Sequence, residues 1–101
     1  MYYSNNSNDL SKKQYSATSV FIQILPKVKN IKNLTNDKDE QLYIAKDLII
    51  SSLMSARERS PHSISLNYIS SYRHRIDMCA DLNEVIKMLC KSINAGKNYL
   101  K

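Results

Sequence analysis

Two histidines and two cysteines are the residues of this chain most able to do chemistry: His62, His74, Cys79 and Cys90. No two of them have the CxxC or HxxxH spacing that places two ligands on one side of a metal, so the sequence predicts no metal site. A nucleophilic serine or cysteine needs a base beside it and a strained, exposed turn to present it. No such turn is visible, and we expect no catalytic residue, no cofactor and no small-molecule substrate.

Glycine is scarce, which strengthens this expectation. Phosphate-cradling loops, nucleophile elbows and tight hairpins need backbone positions that glycine occupies at least cost. With one Gly and two Pro in 101 residues, both a nucleotide-binding enzyme and an all-β fold built on glycine-rich turns are disfavoured. A helical bundle needs few such turns, and the length fits one domain.

The charge balance points to an anionic partner. The chain has fifteen basic and nine acidic residues, a formal charge of +6. This excess favours DNA or an acidic protein as the partner. No apolar run approaches the roughly 18 residues of a membrane span, and Met1–Lys13 lacks the apolar segment of a signal peptide. We therefore expect a cytoplasmic protein with reduced cysteines, a disulfide being the alternative.

Four arginines and two tyrosines are the candidate binding residues. The arginines, whose guanidinium groups suit phosphate oxygens, are Arg57, Arg59, Arg73 and Arg75. A solvated charged surface without a ligand is the open alternative. Tyr68 and Tyr72 lie one helical turn apart and are predicted to face one groove, as candidate protein-interaction residues or as the rim of the core.

The N-terminal part of the chain gives an ambiguous first element. Residues 1–13 are rich in Ser and Asn and are predicted to be a disordered arm before a helical domain at 14–101. Apolar residues at helical spacing predict a short helix that ends near Leu25, ahead of Pro26. A run of strand-forming residues at 18–22 leaves a strand open.

Three longer amphipathic helices are predicted to follow. The first begins after Asn36 as N-cap and ends near Arg59; its apolar residues cover so much of its circumference that we expect a homodimer. Ser60 is predicted to cap the next helix, at about 61–78, with a proline in its first position. The last helix begins near Asp81, with Gly96 just past its end.

This arrangement resembles the small biofilm and acid-resistance regulators of the AriR (YmgB) family. The resemblance rests on short matches in three helices: Glu40 with Ile44-Ala45 and Leu48, then Ile64 and Ile69, and then Ala80-Asp81-Leu82. It implies a small helical dimer that regulates transcription or connects regulators through protein and DNA contacts.

A second resemblance is to the bacteriocin immunity proteins of lactic acid bacteria, which are basic, similar in length and fold as antiparallel four-helix bundles. In that family the C-terminal part recognises the toxin–receptor complex, here the basic tail at 97–101. The sequence thus predicts an all-α bundle of three main helices and a short N-terminal one. A non-enzymatic regulator is the first hypothesis; an immunity protein, or an interaction module without a nucleic-acid role, is the alternative.

Overall fold

The computed structural model describes residues 16–100, with side chains to residue 97, and this part of the chain is all-α without a strand. The helices are α1 (Ala17–Asn30), α2 (Lys38–Arg59), α3 (Leu66–Asp77) and α4 (Leu82–Leu100), with a 3₁₀ turn at Ile31–Asn33 after α1. The all-α bundle is confirmed, and the first segment is a helix. The predicted arm at 1–13 lies outside the described residues.

The four helices pack around one core, and α2 lies at the centre. The start of α1 meets the end of α4 where Thr18 approaches Gly96, and Lys46, in the first half of α2, pairs with Asp77 at the end of α3. Helix α2 packs against α1, α3 and α4. Its broad apolar surface is therefore covered largely by the same chain, which removes the reason for expecting a second subunit; the homodimer stays a prediction.

Each helix contributes a stripe of apolar side chains to one core. Residues that are buried almost completely come from all four helices, the 3₁₀ turn and the loop before α3: Phe21, Val28, Ile31, Ile49, Leu53, Ile64, Tyr72, Val85 and Leu89. Fully burying an aliphatic side chain of this size contributes about 1.5–3 kcal/mol. The core fixes which face of each helix remains exposed.

Helix α1 does not end before Pro26, as predicted, but continues to Asn30. Proline removes the hydrogen bond to the carbonyl four residues earlier, that of Ile22. Both residues are exposed, so water can reach this carbonyl. Beyond the proline, Val28 is completely buried, and this burial offsets the cost of the lost bond.

Capping side chains set the helix starts, and two of them differ from the prediction. Asp37, not Asn36, caps α2, because its Oδ1 accepts hydrogen bonds from the amides of Asp39 and Glu40 at 2.9 and 3.2 Å. Helix α3 starts after Ser65, whose Oγ accepts from the Tyr68 amide at 3.0 Å. The predicted cap Ser60 instead opens a turn over residues 61–63.

Gly96 lies inside α4, which continues to Leu100, and so it does not end the helix as predicted. No described glycine has a positive φ, and the reason for glycine here is space. A Cβ at this position would collide with the side chain of Thr18 on α1. The glycine therefore permits close approach of α1 and α4, and residues 97–100 are helical instead of a separate tail.

Candidate nucleic-acid interface

Helix α3 presents a polar, uncharged face to solvent along most of its 12 residues. Its buried side is formed by Ile69, Tyr72 and Ile76. On the opposite side lie four exposed residues with helical spacing: Asn67, Ser70, Ser71 and His74. Each of these side chains can donate or accept hydrogen bonds, so α3 carries a row of hydrogen-bonding groups about two turns long.

Arg73 and Arg75 flank this row on its two sides. They are two positions apart, hence about 200° apart around the helix axis, and both are exposed. Arg73 lines a depression against α2 together with Lys46. Arg75 lines a hollow against α4 together with Lys87 and Lys91. The polar face is thus bordered on both sides by basic groups.

The Arg75 side chain is held by an aromatic stack. Its guanidinium carbon lies 5.1 Å from the centroid of the Tyr72 ring, a cation–π distance. Tyr72 itself stacks on Phe21 of α1, with ring centroids 4.8 Å apart, and its hydroxyl lies 3.0 Å from Ser92 Oγ. Burial raises the pKa of Tyr72 to about 12. The stack fixes the guanidinium beside the polar face of α3.

The carboxylates nearest this face are engaged in local interactions. Asp77, at the end of α3, accepts from Lys46 Nζ at 2.7 Å, and this hydrogen bond lowers the pKa of the Asp77 carboxyl. Glu84 Oε1 accepts from the Ala80 amide at 2.7 Å, while Asp81 accepts from the Glu84 amide at 3.0 Å. These two bonds cap α4. These bonds orient the carboxylates without removing their charge, and two acids, Asp47 and Glu84, line the same hollows as Arg73 and Arg75 respectively.

The two predicted protein-interaction tyrosines differ in their exposure to solvent. Their rings stack at 5.9 Å, but Tyr72 is only 1% exposed, whereas Tyr68 is 38% exposed. The prediction that both face a groove is therefore corrected for Tyr72, which is part of the core because its position on α3 points towards Phe21. Only Tyr68 is accessible to a partner, at a hollow shared with Arg75 and Lys91.

The other two candidate arginines have different surroundings. Arg57 is half-buried, and its Nε is enclosed without a hydrogen-bond partner. Arg59 lines a groove between α1 and α2, together with Lys27. The four arginines therefore do not form one surface: Arg73 and Arg75 share the border of α3, and the first pair does not join them.

The histidines and cysteines are not assembled into a reactive centre in the described part of the chain. Both cysteines are free and half-buried, and burial raises the pKa of the Cys79 thiol, which favours the unreactive thiol form. Residues 16–97 contain no group of three or more His, Cys, Asp or Glu side chains placed to hold a metal.

Sequence reasoning missed the uncharged row on α3 and the two lysines of α4 beside Arg75. The row has a sequence signal, since polar residues recur at offsets 0, 3, 4 and 7 from Asn67. The lysines have none, because only packing brings Lys87 and Lys91 next to an arginine that precedes them by more than ten residues.

Comparison with known proteins gives no match: no family model, no curated protein and no solved structure is similar to this chain. Among the helices of residues 16–100, none is both long enough and apolar enough to span a membrane.

Proposed function

We propose that this chain is a small, non-enzymatic, cytoplasmic regulatory protein that binds DNA with the exposed face of α3. The observation that carries the proposal is the arrangement of one helix: a row of uncharged hydrogen-bonding side chains with an exposed arginine on each side. The major groove of B-DNA, about 12 Å wide, admits an α-helix, and its two walls are lined by phosphates. The pattern on α3 matches these two kinds of contact.

The two parts of the face have different roles in this proposal. Arg73 and Arg75 contact phosphates on the two sides of the groove and so set position and much of the affinity. Asn67, Ser71 and His74 face the base edges and supply sequence preference, which side-chain amides, hydroxyls and imidazoles can do by hydrogen bonding. Lys87 and Lys91 extend the phosphate contact beyond Arg75.

Fluorescence anisotropy with a labelled duplex, at several salt concentrations, tests the proposal. We expect the R73A/R75A variant to bind more weakly and to lower the slope of log affinity against log salt by about 1.8, since each lost phosphate contact accounts for about 0.9. The K27A/R59A variant is the matched control: it removes two positive charges on another side of α2 and should leave the slope nearly unchanged.

Two results would contradict the proposal. One is a wild-type protein with no measurable affinity for DNA at low salt. The other is equal loss in the two double variants, which would mean that net charge and not the face of α3 determines binding. Sedimentation of the complex also tests the predicted homodimer, because a dimer carries two such faces and binds two half-sites.

An immunity protein is the second candidate, and the packing of four helices around one core favours it. This function predicts that expression of the chain protects a toxin-sensitive strain, and that R73A/R75A protects as well as wild type. Protection without DNA affinity would replace the regulatory proposal.

A further inference from the structure

A second basic site lies between α1 and α2, and it adjoins the Arg73 depression at Ser51. It is a groove of about 470 Å³, within the roughly 300–1,000 Å³ typical of small-molecule sites. Among residues 16–97 its lining combines hydroxyl, amide and basic groups with a small apolar part and includes no carboxylate: Val20, Gln23, Ile24, Lys27, Ser51, Ser52, Ser55, Ala56 and Arg59.

The sequence explains why a groove forms at this place. The wall from α2 has only small side chains over about one and a half turns, namely Ser51, Ser52, Ser55 and Ala56, so that part of the helix does not fill the space beside α1. The long basic side chains come from both walls, Lys27 from α1 and Arg59 from α2. Two positive groups therefore face a common space that is also lined by hydroxyls.

We propose that this groove binds a small phosphate-bearing molecule. A phosphate oxygen accepts strong, charge-assisted hydrogen bonds from the Lys27 ammonium and the Arg59 guanidinium, and further bonds from the serine hydroxyls and the Gln23 amide. A phosphomonoester carries about two negative charges near neutral pH, which match the two basic groups. Val20 and Ile24 provide the apolar contact for the remainder of the ligand.

This site uses different basic residues from the proposed DNA interface. Arg59, a candidate DNA contact in the sequence, is assigned to the groove, while Arg73 and Arg75 lie beside α3. The binding is reversible recognition without a reaction, consistent with the expectation of no enzymatic site.

NMR titration of ¹⁵N-labelled protein with ribose 5-phosphate tests the proposal, with inorganic phosphate as the minimal probe and ribose as the uncharged control. We expect both phosphates to give saturable amide shifts in residues 20–27 and 51–59, and ribose to give none. In K27A/R59A the affinity should fall at least tenfold, whereas R73A/R75A should titrate like wild type.

A further variant guards against an effect on folding. S55E places a carboxylate at an exposed position of the groove wall, and it should weaken phosphate binding while the circular dichroism spectrum stays helical. Unsaturated shifts spread over all basic surfaces would overturn the proposal. Loss of the response in R73A/R75A instead of K27A/R59A would overturn it as well, because phosphate would then bind at α3.

Discussion

The chain contains two Arg-x-Arg sequences, Arg57-Glu58-Arg59 on α2 and Arg73-His74-Arg75 on α3. The fold places the two pairs of arginines in different surroundings. In both, the arginines are about 200° apart around the helix axis. On α2 this separation places one beside the α1 groove and leaves the other half-buried. On α3 both are exposed and flank one free face. The same local pattern thus leaves both arginines exposed at the border of one face only on α3.

The number of neighbours of each helix explains the difference. Helix α2 packs against three helices, so residues on its two sides meet different partners. Helix α3 packs mainly on α2, and its side away from the core meets solvent. An Arg-x-Arg pair can therefore act on one ligand when its helix lies at the edge of the bundle, but not when its helix is central.

The largest expected effect comes from removing the anchor that holds α3 at the edge. Tyr72 is buried and stacks on Phe21, so Y72A should lower the free energy of unfolding by about 3–5 kcal/mol, the usual cost of removing a buried aromatic ring. DNA affinity should fall with it, because Arg75 loses the ring beneath its guanidinium. Urea denaturation followed by circular dichroism measures the loss.

Two neighbouring variants serve as controls for Y72A. Y72F retains the ring and loses only the hydroxyl contact with Ser92, so its cost should be about 0.5–1.5 kcal/mol. Y68A removes a ring that is partly exposed and should cost less than Y72A. If Y68A and Y72A destabilised the protein equally, Tyr72 would not be the anchor of α3.

The existence of the helices could be predicted from the sequence. The residues at which they end, and the residues of different helices that share a surface, could not. Periodic apolar residues are a local signal, and it correctly indicated an all-α bundle. The predicted end of α1, near Leu25, was wrong because the burial of Val28, a tertiary effect, outweighs the local cost of Pro26. Ser60-Pro61 was a plausible start for α3, yet the chain turns there and buries Ile64 before Ser65 caps the helix.

The candidate site was predictable in part for the same reason. Arg73 and Arg75 are close in sequence, so their common helix could be inferred. Which of the four arginines share a surface depends on how many helices surround α2 and α3, and this is not a local property. The burial of Tyr72, one turn from the accessible Tyr68, likewise follows from its contact with Phe21 on another helix.

A smaller loss of stability is expected from a substitution at the close contact between α1 and α4. In G96A the new methyl group meets Thr18, and overpacking of this kind costs about 1–3 kcal/mol. The double variant T18A/G96A provides a partial rescue: it removes the contacts with Thr18 Oγ1 and Cγ2, leaves the 2.9 Å contact with the Cβ of residue 18, and keeps the better helix propensity of alanine, worth up to about 1 kcal/mol. Thermal unfolding should rank G96A lowest. Equal stability of the single and double variants would contradict the expected collision between Thr18 and a methyl group at position 96.

The smallest expected effect concerns the exposed ion pair between the central and the edge helix. The Lys46 hydrogen bond lowers the pKa of Asp77 below its ordinary 3.8, so the folded state holds the charged form more firmly than the unfolded state does. Its stabilising contribution is therefore complete above the ordinary pKa and is lost as the pH falls through the lower, folded-state pKa. In D77N, the decline of unfolding free energy between about pH 5 and pH 2 should be shallower than in wild type.

Denaturation in urea across this pH range measures that difference, and K46M is the matched variant because it removes the partner and keeps Asp77. D77N should show the shallowest profile and K46M an intermediate one, because Arg73 and His74 still lower the pKa of Asp77 when Lys46 is removed. Added salt should reduce the wild-type slope, since both side chains are partly exposed and surface pairs are screened. Parallel pH profiles in all three proteins would mean that the pair does not join α3 to α2. The edge helix would then be held by its apolar side alone, and the exposed Arg73 and Arg75 would owe their position to Ile69, Tyr72 and Ile76.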